Sequence, residues 1–151
     1  MGITLYKNAD WILTVNEKRE KFRHGDLLIS GKEILDVGND LEKKYAGKLQ
    51  IDKTIEAKGT VILPGFVNVH HHTWQSLIRN IQATRGLKLE PWLTVMYEIY
   101  KDLNTDVARA GVYSGLGDML KTGCTTSNDL WYPHPVGVKY LVDAEIQQLQ
   151  R

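Results

Sequence analysis

A single cysteine, Cys124, is all the thiol this 151-residue chain contains. An internal disulfide is therefore excluded, and a reducing cytoplasm is the compartment that fits. An excess of one charge is missing too: 19 Lys and Arg against 18 Asp and Glu leave a net +1. So small a charge gives no field to draw nucleic acid or anionic lipid, and neither partner is expected. Long hydrophobic runs are also absent. No stretch approaches the roughly 20 apolar residues of a bilayer span. Lys7 and Asp10 stand where a secretion signal needs an unbroken apolar core. Only two Phe and four Pro occur, yet 42% apolar residues suffice for a packed core.

Internal repeats and low-complexity linkers are lacking as well. Size alone suggests one domain, but the pattern divides the chain near residue 60. Residues 1–60 read as short strands and turns, with β-rich runs at 3–6, 11–15, 27–29 and 34–37. Ser30-Gly31-Lys32 reads as a hairpin turn, 40–45 as a polar helical turn, and 51–57 as one more strand. This portion is expected to be part of a small β-sandwich or barrel. Residues 61–151 read differently. After Pro64-Gly65, residues 66–70 form a strand apolar on both faces, as in a parallel sheet covered on both sides. Helical patterns follow at 73–82 and 91–103. A third helix starts at an N-cap Thr105 and ends at Gly123. A second strand at 124–129 and a fourth helix at 136–150 complete the reading. The order strand, helices, strand, helix is the opening of a parallel α/β array. The helical pattern runs to Arg151 with no terminator, and two parallel strands cannot close a barrel. The sequence is expected to be the front of a longer protein.

What the chain does have is histidine in one place. Three of its five histidines, His70, His71 and His72, end the apolar run VILPGFVNV. Side chains two apart on a strand share a face. His70 and His72 therefore point together, and His71 points away. Two neutral imidazoles one strand-step apart can grip one metal ion. A structural role as a polar strand end is the alternative reading. The position favours metal, because parallel barrels place catalytic groups at the carboxyl ends of strands. His24 and His134 have no spacing that completes the site. Asp129 ends the second strand in the equivalent place. It either orients a ligand from behind or simply caps a turn. Gln75 is three residues past His72, either reading a substrate edge or lying solvated on its helix. Trp74 and Trp131 suit an aromatic pocket for a flat ring, while core packing is the default for Trp92. Thr125, Thr126 and Ser127 have no neighbouring base, and Gly111, Gly115 and Gly117 match no phosphate loop.

Two stretches resemble a known family. Leu63-Pro-Gly-Phe-Val-Asn-Val-His-His-His72 resembles the first barrel strand of the amidohydrolase superfamily, with its PG and His-x-His. Lys121-Thr-Gly-Cys-Thr-Thr126 with Asp129 resembles the second-strand motif. Within the superfamily, His72 followed by Thr-Trp-Gln-Ser-Leu77, then Pro91-Trp-Leu93, is most similar to the 8-oxoguanine deaminase and atrazine-hydrolase group. Leu130 stands where that group tends to have a histidine. The resemblance implies the first part of a TIM-like (β/α)8 metal-dependent hydrolase barrel at 61–151, preceded by part of a composite β-sandwich at 1–60. It implies that His70 and His72 bind one divalent metal, Zn or alternatively Fe, and that Gln75 and Trp74 meet a heterocyclic small-molecule substrate, with Asp129 behind the ligands. The reaction implied is hydrolytic deamination of 8-oxoguanine or a related purine: a metal-activated water attacks the ring carbon and ammonia leaves. Triazine hydrolysis, cyclic-amide hydrolysis or a non-catalytic remnant are the alternatives. The remaining ligands and the acid/base residues are implied beyond Arg151, so no catalytic residue is assigned within the chain. A full-length relative is implied to be a homo-oligomer.

Overall fold

A computed structural model describes residues 2–149. The chain divides into two compact units between Pro64 and Gly65. Residues 61 and 62 go with the first unit rather than the second, because they pair as a short strand with the first strand of the chain.

The first unit, expected to be part of a small β-sandwich or barrel, is one mixed five-stranded sheet. β2 (Lys21–Ser30) pairs antiparallel with both β1 (Ile3–Leu13) and β3 (Glu33–Gly38). A five-residue helix α1 (Leu41–Tyr45) follows, and then β4 (Lys53–Glu56) and β5 (Val61–Ile62), both parallel to β1. The two runs read as separate strands at 3–6 and 11–15 are one strand, bent by an extra residue between Tyr6 and Ala9. Asn8 takes the left-handed conformation in this bulge, a conformation asparagine tolerates better than most residues. Leu5 and Leu28 pack on Leu41 on one side of that bulge, and Ala9 and Ile12 pack on Ala57 beyond it. The hairpin turn falls at Gly31-Lys32, with Gly31 left-handed.

Asp26 is 3% exposed and ties this unit together. One carboxylate oxygen accepts from the amide of Asn8 in the bulge, and the other accepts from the amide of Leu41 at the first turn of α1. Asp40 caps nothing with its own side chain. Asp26 therefore supplies the missing acceptor for that helix end.

The second unit places β6 (Phe66–His71) parallel to β7 (Cys124–Asp129). Between them run α2 (Leu89–Tyr100) and α3 (Thr105–Lys121), and α4 (Leu141–Leu149) follows β7. Four expectations change here. The pattern at 73–82 folds as short 3-10 turns, Thr73–Ile78 and Gln82–Thr84, because Arg79 is extended and Asn80 left-handed. The cap of α3 is Asn104, not Thr105: its side chain accepts from the amides of Asp106 and Val107. The last helix begins at Leu141 rather than 136, and its expected end at residue 150 lies outside the described residues. The strand expected to be covered on both faces is open among the described residues, with Phe66, Val67 and Val69 each more than half exposed.

The core of this unit is aromatic. Trp74, Met96, Tyr100, Leu103 and Val112 are buried together. Two glycines of α3 let that helix reach the backbone that follows the histidines. A Cβ on Gly111 would stand 2.2 Å from the Trp74 carbonyl oxygen, and one on Gly115 2.7 Å from Ser76 Oγ. No helix among the described residues is long and apolar enough to cross a membrane.

Candidate metal centre

β6 delivers the histidines to the carboxyl end of the parallel pair. The rings of His70 and His72 lie 5.4 Å apart between centroids, edge to face. His72 is held from β7. Its Nδ1 lies 2.7 Å from the carbonyl oxygen of Leu130, while the Leu130 amide donates to the carbonyl of His71. A carbonyl oxygen can only accept, so Nδ1 carries the proton. In the neutral ring Nε2 then keeps its lone pair, which is the form that coordinates a metal. His70 is exposed, and its amide donates to Asn68 Oδ1. Among the described residues no group of three or more His, Cys, Asp or Glu could hold an ion. Among the described residues His70 and His72 are the two candidate donors, and no third is grouped with them.

The flanking residues separate into three groups. Gln75 donates through Nε2 to the hydroxyls of Tyr100, at 2.8 Å, and Tyr132, at 2.5 Å, which are 2.9 Å from each other. Tyr132 also packs edge to face on His72. Burial, followed by the bond to Tyr132, pushes the Tyr100 hydroxyl above the ordinary phenol range, so it stays neutral. Trp74, expected against a substrate ring, is 1% exposed and packs in the core on Tyr100 and Trp131. Asp129 touches neither histidine ring directly. Its Oδ1 accepts from the amide of Thr73, at 2.6 Å, and from its hydroxyl, at 2.7 Å. Asp129 thus grips the residue that follows His72. His24 belongs to the first unit.

A cavity of about 280 Å³ opens beside His70, His72 and Gln75. A second, of about 520 Å³, also borders His72 and is lined by Gln75, Trp92, Leu93, Tyr97 and Tyr132. The larger cavity of about 620 Å³ in the first unit holds none of these residues, and its lining Lys7 is already paired with Glu42. Three buried side-chain polar atoms lack a partner among the described residues: His71 Nδ1, Trp74 Nε1 and Asp129 Oδ2. All three sit on or beside the histidine segment. Unsatisfied buried groups carry a cost, and their clustering marks this place as the one where packing is not the whole purpose.

Residues 61–149 match the model of the amidohydrolase family. The chain belongs to that family. It is 35% identical over 136 residues to a 5-methylthioadenosine/S-adenosylhomocysteine deaminase of Bacillus cereus (strain B4264), covering 89% of this chain and 29% of the relative. Among solved structures it is similar to the atrazine chlorohydrolase TrzN from Arthrobacter aurescens TC1 complexed with zinc. That likeness has a TM-score of 0.79 at 25% identity, over 97% of this chain and 33% of the other. Guanine deaminase from C. acetobutylicum with bound guanine shares the fold, with a TM-score of 0.72 at 21% identity, over 99% of this chain and 33% of that one. The chain thus spans a third or less of the length of these amidohydrolases.

Amidohydrolases depend on metal, and the imidazoles of His70 and His72 fit a share of such a site. Two residues of this segment went unnoticed in the sequence. Tyr132 anchors both Gln75 and His72 from a loop, with no periodic signal to give it away. Glu145 is 4% exposed and meets Thr73 Oγ1 at 3.1 Å. One signal for it existed: it occupies the apolar register of α4, where a carboxyl is out of place.

Proposed function

We propose that this chain is the N-terminal portion of a metal-dependent aminohydrolase acting on a heterocyclic small molecule, 8-oxoguanine or a related purine. In this reading the second unit is the first two βα units of a (β/α)8 barrel, and the whole protein works in the cytoplasm as a homo-oligomer. One observation carries the proposal. The Leu130 carbonyl holds a proton of His72 on Nδ1, which in the neutral ring leaves Nε2 for a metal, with the His70 ring 5.4 Å away between centroids.

His70 and His72 would hold the ion, Zn or alternatively Fe. A bound divalent metal supplies a water of lowered pKa. The chain's own residues bind and orient. Gln75, its amide nitrogen committed to two phenols, presents its carbonyl oxygen as an acceptor for a ring N–H. Tyr132 and Trp92 offer flat apolar surface beside it. Trp74 supports this wall from the core. Asp129 fixes the main chain after His72. Triazine hydrolysis is the second reading, favoured by the likeness to the atrazine chlorohydrolase.

The 151-residue chain alone is expected to bind zinc weakly, because two donors do not fix a coordination geometry. It is expected to release no measurable ammonia from 8-oxoguanine or guanine. Calorimetric zinc titration of the wild type, H70A and H72A, with an ammonia assay alongside, tests both statements. Zinc binding that survives H72A removes the metal reading. Tight stoichiometric binding with turnover overturns the expected inactivity.

A further inference from the structure

Behind His72 lies a pair of carboxyl groups, Glu145 buried and Asp129 half-buried, whose hydrogen bonds do not balance if both are charged. Asp129 Oδ1 takes the amide and the hydroxyl of Thr73. Glu145 Oε1 lies 3.1 Å from the same hydroxyl oxygen. Thr73 has one hydroxyl hydrogen, and Asp129 holds the shorter contact. The Thr73 hydroxyl is placed to donate to Glu145 Oε1 as well, so one hydrogen faces two carboxyl groups, and a protonated Glu145 that turns its own hydrogen to Thr73 Oγ1 resolves the conflict. Glu145 and Thr73 are 4% and 2% exposed, so no bulk water replaces either bond. Burial first, then the hydrogen bond and the charge of Asp129, hold the Glu145 carboxyl above its ordinary range, against a smaller opposing pull from the Thr73 hydroxyl. The chain of contacts leads from α4 through Thr73 and Asp129 to the end of β7. There the next residue, Leu130, fixes the His72 ring.

We propose that Glu145 is a positioning residue for His72, acting through Thr73 and Asp129. It never reaches the reacting atoms. It locks the hydroxyl of Thr73 onto Asp129, which keeps the end of β7 and the turn after His72 in register, so that the Leu130 carbonyl stays on Nδ1. The functional meaning of this role rests on His72 being a metal ligand; the positioning itself does not. Partners behind the ligands commonly govern metal affinity by roughly ten- to a hundredfold.

The test uses the 151-residue chain and two readouts, long-range ¹H–¹⁵N spectra of the His72 ring and zinc titration. E145Q keeps a donor on Thr73 and is expected to retain the Nδ1–H form and zinc affinity within about twofold of wild type. E145L keeps the bulk but has no donor. It is expected to lose the single tautomer of His72 and about tenfold in zinc affinity, or more. Thr73→Val breaks the same link from the other side, should E145L fail to fold, and is expected to behave like it. A folded E145L or T73V with wild-type His72 signals overturns the proposal, since a purely structural glutamate would leave the ring untouched. Loss of the tautomer in a chain that binds no zinc leaves the positioning role standing and removes the metal reading. Zinc binding through His70 and His72 that neither variant alters does the reverse.

Discussion

Three glycines of α3 look alike in the sequence and differ in the structure. Gly111 and Gly115 lie where the helix crosses the Trp74 and Ser76 segment, and Gly117 faces open space, with nothing within 4 Å of a built Cβ. Gly111→Ala drives a methyl onto the Trp74 carbonyl oxygen, where backbone must move. Overpacking of this kind costs about 1–3 kcal/mol. Gly117→Ala meets no obstacle and gains helix propensity, so it is expected to stabilise by about 0.5–1 kcal/mol. Urea midpoints of the two variants should therefore move in opposite directions. A shared direction would mean that α3 does not approach the histidine segment as described. Asp26 gives a residue-scale test in the first unit. D26A leaves the amides of Asn8 and Leu41 without their acceptor, at about 1–3 kcal/mol for a buried orphan. D26N keeps one acceptor oxygen and is expected to lose less.

At the scale of elements, α4 depends on the protonation of Glu145. An ordinary glutamate titrates near 4.5, and in the fold burial and Asp129 push Glu145 up to about 7. Between those values the folded chain keeps a proton that the unfolded chain has already lost. Unfolding therefore releases a proton in this window, and stability falls as pH rises through it. The contribution is complete below about 4.5 and gone above about 7. Denaturation by urea at stepped pH should show that decline in the wild type and a flatter profile in E145Q; identical slopes would remove Glu145 as the titrating group. The sequence revealed some elements and hid others for physical reasons. β6 and β7 were legible because each is a short β-forming run bracketed by breakers, Pro64-Gly65 before one and Gly123 before the other. The histidine pair was legible because a period of two is local. The 3-10 turns after His72 were not, since leucine spacing suits an α-helix and only the left-handed Asn80 and the approach of α3 forbid it. Glu145 meets Thr73 across 72 residues and His72 meets Leu130 across 58, distances at which no sequence pattern operates.

On the scale of the molecule, the two units carry their cores differently. The first buries Leu5, Leu28, Ala9 and Ile12 within one sheet and its short helix. The second buries its aromatic cluster among Trp74, α2 and α3, while its parallel strands remain open. Parallel sheets are stable when both faces are covered. Val67 is 65% exposed and Val69 76%, with Phe66 and Leu130 also open. Apolar surface of that kind on a strand pair invites self-association. The isolated 151-residue chain is therefore expected to bind a hydrophobic dye such as ANS and to sediment above its monomer mass of 17.2 kDa. The double variant V67K/V69K places two charges on the open strand and should lower both signals while leaving the Trp74 core, and its near-ultraviolet aromatic dichroism, as they were. Dye binding unchanged by the lysines would locate the sticky surface elsewhere, and α4 would be next, since Ile146 and Leu149 are exposed there.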